Sequence, residues 1–323
     1  MKQFLFCFAL VLFCFTWSKA QSPRELRDQK NLVFARNLKD WQQNPVDSLM
    51  FDIYYPTGAM SNKKYPVYFS LHGGSFVTAT KQSVSEFSDE FSEYGFIVIA
   101  PDYRTGYFGA GGGDTCSATS DSTYLQGAIY RAMQDVNACI RYIANHADMY
   151  SIDTSQIFMG GASAGGTLAL NAAYINDSLS AIHYPSLVSQ WGKLQTSGNS
   201  EPYNYTLKGL CPMWGGMPSW AGVINSKTAV PSILFKGGRD TNLPNGIGNY
   251  LNCPNAMTVR AGQGIYDVMQ QVGAPCVFHF QPAGGHAAYD NLFCTKNTAC
   301  FFNAIIQKQP YSTYLEYYDP SCR

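Results

Sequence analysis

What the sequence lacks narrows its function before any motif is read. Charged residues make up only 14% of the 323-residue chain, against about 25% in an ordinary globular protein. Lys+Arg and Asp+Glu balance at 22 each, and no block of one sign occurs. That leaves no basic field for nucleic acid and no Lys/Arg run for an anionic membrane. There is no Cys-x-x-Cys pair and no Cys/His cluster with zinc-ligand spacing, so the common zinc modules are excluded. Beyond residue 17 no apolar run reaches the roughly 20 residues that a membrane-spanning helix needs. Repeats, low-complexity blocks and linkers are absent as well, which makes one domain the expectation.

The first twenty residues are the exception to this even composition. Lys2 precedes an apolar run over residues 4–17, and Ser18-Lys19-Ala20 follows. This is the three-part pattern of a secretory signal peptide with cleavage after Ala20. The run is shorter than a bilayer span, so no membrane anchor is expected and the product is read as secreted or periplasmic. Removing residues 1–20 of the 323 leaves 303. With Lys2 and Lys19 gone, 20 basic residues face 22 acidic ones, a formal charge of −2. Residues 21–323 suit one large domain with an ample core. Eight cysteines remain, at 116, 139, 211, 253, 276, 294, 300 and 322. An even number in an exported chain favours disulfides, whose connectivity the sequence does not give. Cys294 and Cys300 are near in sequence, yet on an unbroken helix they would stand about 9 Å apart, too far to bridge.

Along the chain, short apolar strands alternate with helical periodicity. Strands are expected at 66–71, 96–100, 156–160, 232–235 and 277–281. From 123 to 147, apolar residues recur every three or four positions, the pattern of a long helix packed on a sheet; a shorter helix is read at 264–272. The Gly-rich stretch 106–121 reads as loop. Such alternation implies βαβ units and an α/β fold with a mostly parallel sheet, helices on both faces and the site beyond the carboxyl ends of the strands. Residues 178–229, with Trp191, Trp214 and Trp220, show no clear period and are read as a cap inserted over the site.

Four special clusters each follow a strand. Gly161-Ala162-Ser163-Ala164-Gly165 stands between a strand and a helix, the arrangement of a nucleophile elbow. The turn is tight enough that the residues two before and two after the serine must lack side chains, and the helix N-terminus offers unpaired N–H groups. A serine nucleophile needs a base. Of the five histidines, His286 alone combines a post-strand loop, flanking glycines and a place after the other clusters. His279 falls within a strand, His146 ends the long helix, His183 lies in the expected cap and His72 opens the HGGSF turn. The base in turn needs an acid to fix its tautomer. Asp240, just past a strand and Gly237-Gly238, is preferred to Asp267 in a helix and to Asp290, which reads as a cap. The Ala164 amide and the glycines of the 72–76 turn are the candidates for binding an oxyanion.

Together, HGGSF (72–76), PDYR (101–104), GGASAGG (160–166), GGRDTNLP (237–244) and GGHAAYD (284–290) resemble the carboxylesterase and hormone-sensitive-lipase-like branch of the α/β-hydrolase superfamily. The resemblance covers residues 66–290. It implies an acyl-enzyme on Ser163, with His286 as general base and Asp240 orienting it. Gly74, Ser75 and Ala164 would supply the oxyanion amides, and no cofactor or metal is needed. The substrate would be a small-molecule or polymer-linked carboxylic ester. Two positions depart from the family pattern: Ser75 replaces a third oxyanion-loop glycine, and Ala162 stands where an acidic residue is common. The acid and histidine loops are also similar to those of feruloyl and acetyl-xylan esterases and of prolyl-oligopeptidase-type peptidases. A non-catalytic hydrolase-fold binding protein is a further alternative, although such proteins usually lose a triad member and all three are present here.

Overall fold

A computed structural model describes residues 23–108, 116, 122–202, 205–220, 222–254 and 256–322. The expected signal peptide, and residues 109–115 and 117–121 of the Gly-rich stretch, lie outside the described residues.

Alternating apolar side chains at the centre of the chain produce strands buried on both faces. β3 (Tyr65–Leu71), β4 (Ile97–Pro101) and β5 (Ile152–Ala162) send Val67, Phe69, Ile97, Ile99, Ile157 and Met159 into one core. Tyr68, Val98, Ala100 and Phe158 point into a second core on the opposite face. Such two-sided burial is what a parallel sheet sandwiched by helices requires. On the first face lie α2 (Ser122–Asn145), the short α3 (Ala147–Tyr150), α4 (Ala164–Tyr174) and α7 (Gln263–Gln271). On the second lie α1 (Ser85–Ser92) and α8 (Asn291–Ile306), whose Phe87, Phe91, Phe301 and Phe302 fill the aromatic core.

The described residues form a nine-stranded sheet in the order β1-β2-β4-β3-β5-β6-β8-β11-β12. Here β1 is Gln29–Lys39, β2 is Pro45–Tyr54, β6 is Leu207–Met213, β8 is Ser232–Gly237, β11 is Cys276–Gln281 and β12 is Thr313–Glu316. The β1–β2 and β2–β4 pairs are antiparallel, and the remaining seven strands run parallel. A small antiparallel sheet of β7 (Gly216–Pro218), β9 (Ile247–Asn249) and β10 (Thr258–Ala261) stands beside it. The fold class expected from sequence is therefore the one observed: an α/β-hydrolase sheet, with all five expected strands in it.

The expected cap needs correction. Residues 178–229 are not one excursion, because β6 lies inside that range and is hydrogen-bonded between β5 and β8 in the main sheet. Pro212 hid it, since proline within an apolar run argues against a central strand. Leu210 N donates to Pro231 O and Trp214 N to Phe235 O, so Pro212 stands between two bonds of the β6–β8 edge, at the position whose missing N–H leaves a gap in it. Before β6, α5 (Asp177–His183) and α6 (Pro185–Trp191) pack on α2, with Tyr130 Oη and Gln134 Nε2 donating to the carbonyls of Gly192 and Trp191.

The cysteines also divide differently from the expectation. Cys116–Cys253 and Cys300–Cys322 are bonded, while Cys139, Cys211, Cys276 and Cys294 are free and buried. Cys294 and Cys300 sit on the unbroken α8 and do not pair.

One buried ion pair holds the loop after β4. The Arg104 guanidinium donates to both oxygens of Asp135 on α2 through Nε at 3.0 Å, and Nη2 lies 2.8 Å from Oδ1. Further donations go to Lys39 O and Gln134 Oε1. Burial pushes the Asp135 carboxyl up, against the opposing pull of Arg104. Removing one partner of such a pair strands the other without compensation. Arg104→Ala is accordingly expected to cost about 3–5 kcal/mol of stability, read as a lower midpoint in urea unfolding; a loss under about 1 kcal/mol would contradict this account.

Candidate active site

The parallel strands β3, β5, β8 and β11 all end at one edge of the sheet, and the four clusters singled out in the sequence follow them. Ser163 joins β5 to α4 with φ 57° and ψ −115°, a sparsely populated conformation held by its surroundings. Its N–H donates to Met213 O at 2.8 Å, and its carbonyl accepts from Thr167 N at 2.9 Å. The flanking glycines are demanded by packing. A Cβ at Gly161 would stand 2.3 Å from Leu71 O, and one at Gly165 would stand 2.1 Å from the same oxygen. Two successive turns of the elbow thus press on the end of β3, which fixes the serine against the segment that follows that strand.

That segment is the HGGSF turn. Gly74, Ser75 and Phe76 have φ of 95°, 55° and 60°, three left-handed residues in a row. A Cβ at Gly74 would lie 2.2 Å from Thr78 O, so glycine is required there. A Cβ at Gly73 would stand 3.7 Å from Ser163 Cβ, which measures how closely the turn abuts the serine. The PDYR segment locks it from behind. Tyr103 Oη donates to His72 O at 2.6 Å, its ring stacks on the His72 imidazole at 4.0 Å, and Gly106 N donates to Phe76 O at 2.7 Å. His72 is buried, with Nδ1 2.9 Å from Gly73 O, and burial pulls its pKa down. It braces the turn. Ala164 opens α4, so its N–H has no helical acceptor.

His286 Nε2 lies 2.8 Å from Ser163 Oγ, and its Nδ1 lies 3.0 Å from each oxygen of Asp240. The three side chains singled out by sequence therefore converge. Asp240 is held by more than the imidazole. Asn242 N and Leu243 N donate to Oδ1 at 2.8 and 3.2 Å, and Lys236 Nζ pairs with Oδ2. Burial alone would raise this carboxyl, but the hydrogen bonds from His286 and Lys236 and the ammonium charge outweigh it and hold the pKa down to about 2. As an ionised carboxylate it can only accept, so the Nδ1 proton of His286 faces it and Nε2 carries the lone pair toward the serine hydroxyl.

The other candidates lie elsewhere. His279 is buried in β11, with Nε2 3.2 Å from Ser321 Oγ, and burial lowers its pKa to about 4. His146 Nδ1 lies 2.8 Å from Tyr142 O at the end of α2, and His183 stacks on Trp220. Asp290 caps α8 by accepting from Phe293 N, and Asp267 accepts from Gln263 on the surface. Lys236 was missed, although a lysine inside the apolar strand SILFKG, four residues ahead of the acid, was a legible signal. Trp214 was read as cap. It follows β6 instead, its ring centroid 6.4 Å from that of His286. With Gly73, Val84, Phe87, Ala162 and Met213 it lines a cavity of about 130 Å³ beside the elbow. Among the described residues there is no group of three or more His, Cys, Asp or Glu that could hold a metal ion.

The close packing of the elbow on β3 makes Gly165→Ala costly. About 3 kcal/mol, the upper end of the overpacking range, is expected, whereas Gly285→Ala, where a Cβ meets nothing within 4 Å, should stay within about 0.5 kcal/mol. Denaturant unfolding of both variants checks the contrast, and equal losses would contradict it.

Comparison with known proteins agrees with this architecture. The BD-FAE family model matches residues 121–200, a stretch holding α2, β5, the elbow and α4. Mouse carboxylesterase 3B is 28% identical over 151 residues, 46% of this chain. That match spans 24% of the mouse protein's length. Among solved structures, a truncated carbohydrate esterase from gut microbiota superposes with a TM-score of 0.60 at 17% identity, covering 88% of this chain and 97% of that one. Esterase 2 of Thermogutta terrifontis superposes with a TM-score of 0.55 at 17% identity, covering 84% and 92%. With the nine-stranded sheet and a strained serine between strand and helix, these likenesses show that the chain has the α/β-hydrolase fold.

Proposed function

We propose that this chain is a serine carboxylic-ester hydrolase, with Ser163, His286 and Asp240 as its catalytic triad. The observation that carries the proposal is the continuous relay from Ser163 Oγ to His286 Nε2 at 2.8 Å and from Nδ1 to Asp240 at 3.0 Å. Ser163 Oγ attacks the ester carbonyl carbon while its proton passes to His286 Nε2. The oxyanion that forms is bound by the amides of Gly74, Ser75 and Ala164, where preorganised donors are worth about 3 kcal/mol each. Collapse breaks the bond to the alcohol oxygen, which takes the proton back from His286. Water then attacks the acyl-enzyme by the same route and releases the acid. Asp240 stays ionised throughout and stabilises the imidazolium. The proton lost from Ser163 to the alcohol is replaced by one from the attacking water, both passing through His286.

The substrate class is read from the site's surroundings and from the relatives. The cavity of about 130 Å³ lined by Gly73, Ala162 and Trp214, residues that flank the triad, is below the usual range of drug-sized ligand pockets, roughly 300–1,000 Å³, and favours a short acyl group. The Thermogutta terrifontis esterase 2 structures include one with propionate bound and one phosphonylated by cyclosarin, and the gut-microbial neighbour is described as a carbohydrate esterase. A short-chain ester on a carbohydrate or similar polymer, of the acetyl-xylan kind, is the substrate proposed. The two disulfides suit an oxidising compartment. Together with the signal-like residues 1–20 they support export, to a periplasm or to the medium, of a single catalytic domain over 21–323.

A panel of p-nitrophenyl esters from acetate upward, assayed with the disulfides formed, tests the proposal. Turnover should be highest for the shortest acyl groups. Ser163→Ala should lower kcat by a factor on the order of 10⁴ or more, and Asp240→Asn by roughly 10³–10⁴. Peptide anilides in the same panel should not turn over. No hydrolysis of any ester by the folded wild type would overturn the assignment.

A further inference from the structure

We propose that Lys236 is a positioning residue of the triad, its buried ammonium holding one oxygen of Asp240 and, through that carboxylate, setting the orientation and basicity of His286. The inference rests on the triad reading above and adds a fourth member that acts one step further back.

The geometry is specific. β8 is otherwise uncharged, with the sequence SILFKG, and Lys236 within it is 1% exposed. A buried lysine is found almost only with a partner, and here Nζ has two: Asp240 Oδ2, and Leu243 O at 2.7 Å. Both acceptors belong to the acid loop, so the ammonium ties the start of that loop to its end. The stem is roofed by Gly262, where a Cβ would come within 2.8 Å of Lys236 Cγ. This leaves the head little freedom to choose another partner.

Asp240 Oδ2 is thereby shared between two cation-capable groups, the ammonium of Lys236 and the imidazole of His286 at 3.0 Å. Oδ1 is committed to the amides of Asn242 and Leu243 as well as to the imidazole. The titratable groups facing the carboxylate are Lys236 from β8, His286 from the loop after β11, and the buried Tyr250, whose phenol burial pushes well up, with Tyr107 and Asp240 adding to it, so that it stays neutral. Lys236 is therefore the fixed positive charge of the cluster. Burial pulls its pKa down and Asp240 opposes that, and the same contact contributes to the low pKa of the acid.

The consequence for the base has a definite sign. An ammonium on the far side of the carboxylate neutralises part of the charge that would otherwise stabilise the imidazolium. Lys236 therefore weakens the pull of Asp240 on the imidazole. A merely structural lysine would change stability and leave the titration of His286 where it was.

The test uses the full exported chain with its disulfides formed, as Lys236→Met and Lys236→Gln, which are near in length and uncharged. Two readouts are taken: the titration of His286 by NMR of ¹⁵N-histidine-labelled protein, assigned with His286→Ala, and the acid limb of the kcat/KM profile on p-nitrophenyl acetate. In a folded variant both should move to higher pH together, by roughly half to one unit. Neither moving would overturn the proposal. Failure of both variants to fold would overturn it too, because Lys236 would then serve the fold and not the base. The NMR arm needs no substrate. A shifted imidazole in a protein that hydrolyses no ester would uphold the coupling and reject the esterase reading, whereas ester turnover with an unshifted imidazole would do the reverse.

Discussion

A carboxylate with no exposed side-chain surface, Asp240, lies between an imidazole and an ammonium, and the arrangement of the site depends on it. A buried anion is tolerable only when its lone pairs are satisfied and its charge is matched. Here two backbone amides, His286 and Lys236 meet both needs. Once that cluster forms, the imidazole has one tautomer and one plane, and its free nitrogen is directed at Ser163. The acid loop is bound to β8 by the same contacts, so the end of the strand and the position of the base are set together.

The other half of the site is set by a collision that glycine avoids. Leu71 O at the end of β3 sits where Cβ atoms at 161 and 165 would be. The elbow and the HGGSF turn are therefore packed backbone to backbone, and the strained φ of Ser163 is sustained by that packing. Behind the turn, Tyr103, His72 and the Arg104–Asp135 pair convert a Gly-rich loop into a rigid one. Under the proposed reaction this bracing would hold the amides of the turn preorganised for an oxyanion.

Much of this was legible in the sequence, and the parts that were not have physical reasons. Five of the seven parallel strands were readable because each is a short apolar run, and four of those five lead into a Gly-containing cluster. The elbow, His286 and Asp240 were readable because the turn chemistry at each needs particular residue types. β6 was not, because Pro212 inside its apolar run argues against a central strand. β1 and β2 were missed for another reason: β1 lies at the edge of the sheet with much of its length exposed, and an antiparallel edge pair lacks the apolar run of a central strand. The cysteine count pointed to bridges, but four of the thiols sit in the cores as small apolar groups, a role that free cysteine often fills. Lys236 carried a signal that periodicity discards, a charge in a buried strand, which is costly without a partner and so implies one.

The central claim is that the hydroxyl of Ser163 is made nucleophilic by the imidazole and carboxylate behind it. Incubating the folded protein with a fluorophosphonate and mapping the adduct by peptide mass spectrometry tests that claim most directly. A single adduct on Ser163, forming much more slowly in His286→Ala and Asp240→Asn, is the predicted result. A folded wild type that stays unmodified, or is modified at another residue, would contradict it.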